Sequence, residues 1–193
     1  MQARALSLMA VLAVTALPLP LGAQRPTPTR TGQWLGFGIG TGFGRVSCAI
    51  CRSNRHASIS GFVRGGGTLN RHTLLGVEGN GWMRRDDNVD EFLVAVSAVF
   101  SWYPNPRRRL FYKGGLSVML YQADDGPNRL TSTAFGPEVG AGYDIPLSPS
   151  VSFTPFASWH IASLGGDLKY NGEKFRDDIG LMLIQIGAGI TWH

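Results

Sequence analysis

From residue 33 onward the chain alternates. Apolar residues and small or polar ones exchange places at every second position, the period of a β-strand whose two faces meet different surroundings. Eight such segments stand out: 33–46, 57–69, 73–84, 91–103, 110–122, 133–145, 151–163 and 179–192. In the fourth, Phe92, Val94, Val96, Ala98, Phe100 and Trp102 share one face, opposite Leu93, Ala95, Ser97, Val99, Ser101 and Tyr103. In the seventh, Phe153, Pro155, Ala157, Trp159 and Ile161 oppose Ser152, Thr154, Phe156, Ser158 and His160. No segment carries a helical period. Short turns at Asn70–Thr73, Pro104–Arg109 and Pro146–Ser150 alternate with longer connections near 46–56, 84–91, 123–131 and 165–178. That pattern predicts an all-β, up-and-down antiparallel sheet of eight strands, with long and short connections at opposite ends.

Charge decides which face meets water. Away from the segment ends only Arg64, Glu78, Lys113, Glu138 and Asp144 are charged, and all five fall on the smaller, more polar face. The opposite face is bulky, apolar and uncharged, which would make a very poor soluble exterior. Gly32-Gln33-Trp34 matches the short GxW of soluble lipocalin barrels, but those need the reverse arrangement, apolar inside and charged outside. Only 16% of the chain is charged, against a usual value of about 25%. The apolar face therefore points to lipid, and the sheet closes into a transmembrane barrel. Aromatic residues agree: Trp102, Tyr112, Tyr143, Phe153 and Trp192 gather near one end of the strands, and Phe43, Phe92, Phe135 and Trp159 near the other. Two such girdles mark membrane interfaces.

The first residues follow a different rule. Arg4, an apolar run from Ala5 to Leu21, and the small-residue exit Leu21-Gly22-Ala23 form the order of a cleavable signal peptide. Residues 1–23 are thus expected to be a signal, 24–31 a polar lead-in, and 32–193 one barrel domain. After the signal no run of eighteen apolar residues occurs, so no transmembrane helix is predicted.

These features resemble the small eight-stranded outer-membrane proteins, the group of outer-membrane protein X and the transmembrane domain of outer-membrane protein A. The resemblance covers the whole chain after the signal. It implies residence in the cell outer membrane among its lipids, both termini on the periplasmic side, and a last strand read by the barrel-assembly machinery. Family members usually end on an aromatic residue. Here Trp192 stands one place before the end, at Gly189-Ile-Thr-Trp-His193.

Three constellations invite a chemical reading. Arg64, Glu78, Lys113 and Glu138 face the lumen, and Arg64 and Glu78 are equidistant from a turn near position 71, so a buried, salt-bridged plug is expected, with an ion path as the rival. Eight strands enclose little more than their own side chains. Gly36, Gly38, Gly40, Gly42 and Gly44 form a ladder that leaves room in such a lumen; a phosphate loop would need a following helix. Ser158, His160, Ser163 and Glu173 contain the residue types of the lipid A deacylase barrels. That family places its serine two residues after the histidine and facing lipid, so the motif does not transfer. No catalytic site and no cofactor are expected.

Cys48 and Cys51 are expected to form a small loop-tip disulfide, since the compartment is oxidising. A thioredoxin-like role lacks its βαβ setting, and zinc would require ligands beyond His56, so no metal is expected. The net charge of +5 is scattered over loops and the turn Arg107-Arg108-Arg109, which argues against nucleic acid as a partner.

Overall fold

The computed structural model describes residues 30–47, 56–86, 89–105 and 107–193. The expected signal and most of the lead-in lie outside these residues, as do Cys48 and Cys51. The strands are β1 (Gln33–Ser47), β2 (His56–Asn70), β3 (Thr73–Asp86), β4 (Val89–Trp102), β5 (Leu110–Asp124), β6 (Arg129–Tyr143), β7 (Ile145–Pro146), β8 (Val151–Ala162), β9 (Leu164–Tyr170), β10 (Glu173–Arg176) and β11 (Gly180–Trp192). Each long strand pairs antiparallel with its neighbour. β11 meets β1 from Leu35↔Trp192 to Ser47↔Gly180, β8 lies between β11 and β6, and the sheet closes. β8 and β9 form one stave interrupted at Ser163, and β10 and β11 form another, so the wall has eight staves.

The alternation read from the sequence is the alternation of the wall. Along β4 the burial reads exposed–buried without a break from Phe92 to Trp102, and Leu35, Phe37, Ile39, Val77, Leu116, Val139 and Ile186 stand exposed around the barrel. Phe92 and Trp102 are ten residues apart. That spans roughly 33 Å along a strand and, at a tilt near 40°, about 25 Å of membrane, the height of an outer-membrane apolar band. Strands of 12 to 15 residues exceed the roughly 9–11 needed to cross a bilayer, so they extend past the band at the end opposite both termini, the outer end.

There the structure corrects the expectation of long open loops. β5 and β6 run on to Asp124 and Arg129, with Asp125 donating its backbone N–H to Asn128 O at 3.0 Å. The stretch 165–178 is not a loop but the hairpin β9–β10, turning at Asn171 (φ 48°) and Gly172 (φ 89°). Two successive positive φ values are what a tight hairpin turn requires, and Asn-Gly supplies them at least cost. The register slips by one residue across Ser163, from Glu138↔His160 to Phe135↔Leu164, and by one more at Gly165–Gly166, where Thr133 pairs with Asp167.

Because every long strand is paired on both sides, detergent finds no edge from which to peel the sheet. The purified protein should migrate differently on a gel before and after boiling. Identical mobility in both lanes would contradict a closed barrel.

Candidate functional site

The lumen is filled in layers. At the outer end Trp82, Leu93, Met119, Leu168, Ile179, Leu181 and Leu183 are fully or almost fully buried against one another. At the inner end Trp34, Leu74, Tyr103 and Phe111 pack together. Phe62 and Phe156 meet edge to face between them, ring centroids 4.6 Å apart. The glycine ladder makes this possible. A Cβ on Gly42 would lie 2.6 Å from Trp82 Cδ1, and the indole N–H of Trp82 donates to Gly42 O at 3.0 Å. On the far wall Gly140 leaves the space taken by the stem of Lys113, whose Cε would come within 2.7 Å of an added Cβ.

Between the apolar layers lies a buried charge cluster. Lys113 extends from β5 between Glu78 on β3 and Glu138 on β6, pairing with Glu78 and reaching Glu138 Oε1 at 2.6 Å. His160 Nδ1 stands 3.6 Å from Glu138 Oε2. The pairing of Arg64 with Glu78 expected from their shared register is not formed, although Arg64↔Glu78 is indeed a register pair. Lys113 takes Glu78 instead. The Arg64 guanidinium turns inward along the barrel, donates to Thr191 Oγ1 at 3.1 Å, and lies 5.0 Å and 5.3 Å from the ring centres of Phe62 and Phe111. The flexible lysine bridges two carboxylates across the lumen, while the planar guanidinium stacks among rings.

A second cluster at the inner mouth was only partly legible. Asp144 accepts hydrogen bonds from Tyr103 Oη at 2.8 Å and Thr154 Oγ1 at 2.9 Å, and pairs with Arg30 at 3.3 Å. Arg30 also covers the Tyr103 ring at 3.6 Å, and His193 Nε2 is 3.7 Å from Asp144. Arg30 belongs to what the sequence presents as a lead-in outside the barrel; here it is buried in the barrel mouth. Among the described residues the buried charges are thus Arg30, Arg64 and Lys113 against Glu78, Glu138 and Asp144, which balance. An unbalanced set would be very costly in so dry a setting.

Glu78, Glu138 and His160 bring potential metal-ligating atoms within 4.8 Å of one another, but the Lys113 ammonium already lies between the carboxylates. The hydrolase constellation is not assembled either. Ser158 Oγ donates to Gln185 Oε1 at 3.2 Å, His160 faces Glu138, and Glu173 is exposed on the outer hairpin. The interface aromatics Trp102, Tyr112, Tyr143, Phe153, Trp159 and Trp192 are all part-exposed on the outward face, and Trp102 and Tyr112 are neighbours at 6.3 Å.

On the outer hairpins, hydrogen bonding from Arg85 holds Asp90 below the usual carboxylate range, Gln122 and Arg129 do the same for Asp124, and Lys174 for Asp177. A carboxylate depressed on folding stabilises above its unfolded pKa, about 3.9 for Asp, and that stabilisation is lost as pH falls through the lower folded value. Acidification should therefore loosen these hairpins before the wall. Hydrogen exchange across an acid series should show amide protection lost first near Asp90, Asp124 and Asp177; simultaneous loss over the whole barrel would contradict it.

No family model matches the chain, and comparison with curated proteins finds no match. Solved structures do match. Neisserial surface protein A is similar at a TM-score of 0.55 and 15% identity, covering 84% of this chain and 97% of that one. The attachment invasion locus protein Ail of Yersinia pestis reaches 0.50 at 15% identity, covering 83% and 99%. The outer membrane protein OprG of Pseudomonas aeruginosa reaches 0.50 at 11% identity, covering 87% and 99%. At such identities the likeness is one of fold. By that fold and by the apolar, aromatic-girdled band of its exterior, the chain is an outer-membrane β-barrel of the small, eight-stranded kind.

Proposed function

We propose that this barrel is closed and non-enzymatic, serving the outer membrane as a structural or surface-interaction protein. The observation that carries the reading is the filled lumen, in which an apolar outer layer, a charge-balanced belt and an aromatic inner layer follow one another. A pore needs a continuous wet path, and a hydrolase needs a nucleophile within reach of its base; the stacked layers weigh against the first and the Ser158–Gln185 bond against the second. What remains accessible is the outer end, where the β9–β10 hairpin presents Tyr170 and Phe175 among Lys169, Lys174 and Arg176. The partners of this reading are membrane lipids around the wall, the assembly machinery at β11, and a surface ligand at the hairpins.

Purified barrel in planar bilayers should give no steady conductance, and cells expressing it should show an unchanged lipid A mass spectrum. Sustained large currents would replace the plug by a channel. Loss of an acyl chain from lipid A would replace it by an enzyme.

A further inference from the structure

The two ends of the barrel are charged differently. At the outer end basic side chains stand among acids: Arg84 with Asp86 and Glu91, Arg85 with Asp90, Arg129 with Asp124, and Lys174 with Asp167 and Asp177. At the inner end Arg71, in the turn after β2, and Arg107 and Arg108, in the turn after β4, are exposed, with Arg109 part-exposed beside them. None of these guanidiniums has an ion-pair partner among the described residues. The sequence offers no acidic side chain for them either: neither residues 1–33 nor the inner turns at 67–74, 103–111 and 145–153 hold an Asp or a Glu. The acid nearest this end, Asp144, is buried and already paired with Arg30.

The two turns are tied together. His72 O accepts the backbone N–H of Tyr103 at 2.8 Å, and His72 Nδ1–H donates to Tyr103 O at 3.0 Å, which sets Arg71 beside the three arginines of the next turn. In that turn Asn105 Oδ1 accepts the N–H of Arg107 at 3.0 Å and Asn105 O that of Arg108 at 2.9 Å. The backbone is thus committed, and the side chains are left to act. Their depth is that of lipid headgroups. Trp102 and Tyr112 mark the inner interface, and Arg109 lies three residues beyond Tyr112, about 10 Å along a tilted strand. A headgroup layer is about 5–8 Å deep, so a guanidinium on a flexible stem reaches phosphate from there. Leu69 and Leu110 are exposed and flank the arginines in sequence. Apolar residues interleaved with basic ones suit a lipid surface better than a soluble polyanion.

We propose that the inner end binds anionic phospholipids of the inner leaflet, with Arg71, Arg107, Arg108 and Arg109 on their phosphates. Guanidinium meets phosphate through paired, charge-assisted hydrogen bonds. A zwitterionic headgroup brings its own cation to compete for that phosphate, and an anionic one does not, so the anionic lipid is preferred. The inference rests on the outer-membrane fold and is independent of the plug.

Native mass spectrometry of the full barrel, released from neutral detergent with added phosphatidylglycerol or phosphatidylcholine, tests it. The parent should retain phosphatidylglycerol more firmly, and raising the ionic strength should erase that preference. Arg107→Gln combined with Arg108→Gln should weaken phosphatidylglycerol about tenfold and leave phosphatidylcholine unchanged, with the boiling-dependent gel shift kept. Lys169→Gln combined with Arg176→Gln removes the same charge at the outer end and should leave the preference intact. Equal retention of the two lipids by the parent would overturn the site. So would equal losses in the two double variants, since the preference would then follow total charge and not position. Capture of polyglutamate through the same arginines, without any preference between the lipids, would overturn it in favour of an acidic protein partner.

Discussion

Lys113→Met should destabilise the barrel by roughly 3–5 kcal/mol, the cost of leaving buried carboxylates without their cation. Glu78 and Glu138 are each 1% exposed, and Lys113 is the cation placed between them. His160 stands close to Glu138 but is a counter-charge only when protonated. Arg64 is engaged towards Thr191 and the inner rings. The companion experiment removes one charge of each sign. With Lys113→Met and Glu138→Leu combined, the remaining buried charges, Arg30 and Arg64 against Glu78 and Asp144, still balance, and apolar replacement of a buried ionic group is often neutral or stabilising. Urea unfolding in lipid vesicles, followed by tryptophan fluorescence, should find the double variant closer to the parent than Lys113→Met alone. If the two single effects simply add, the cluster is not a unit and the balance described for it fails.

Val96→Arg should cost roughly 2–4 kcal/mol, and Ala57→Arg at most about 1 kcal/mol. Both residues point outward, so the difference tests depth rather than face. Val96 lies in the middle of the apolar band between Phe92 and Trp102 of its own strand. Ala57 pairs with Phe43 near the outer end of β2, where an arginine head reaches water and lipid phosphates. The same vesicle unfolding measures both. Equal costs would place the band elsewhere along the strands.

The wall was legible because a barrel in lipid obeys one rule at every position. Each residue of β4 either faces hydrocarbon or the interior, so Phe92 to Trp102 declare themselves by alternation alone. The inward face of Glu78 followed from the same count. Its partner did not, because register fixes where a side chain starts and not where a long one ends. Lys113 reaches Glu78 across β4, whereas Arg64, its immediate neighbour on β2, bends away to the rings. The outer hairpin was missed for a different reason. Charged residues crowd 165–178 and read as a solvated loop, yet Asn171-Gly172 between pairing segments is the strongest local signal for a tight turn. Arg30 was hidden by its company, a proline- and threonine-rich stretch that looks like mere tether.

Asp144 also bears on how the barrel comes apart. The residue before β1 that binds it, Arg30, and the residue after β11 that approaches it, His193, belong to the two staves whose pairing is most distant in sequence. Opening the seam between those staves would pull on contacts at both flanks of the same carboxylate. Contacts that form only once the ring is complete are absent from the transition state of folding, so they slow escape from the folded state without hastening entry into it. On that account the inner mouth acts as a clasp on the lifetime of the closed ring.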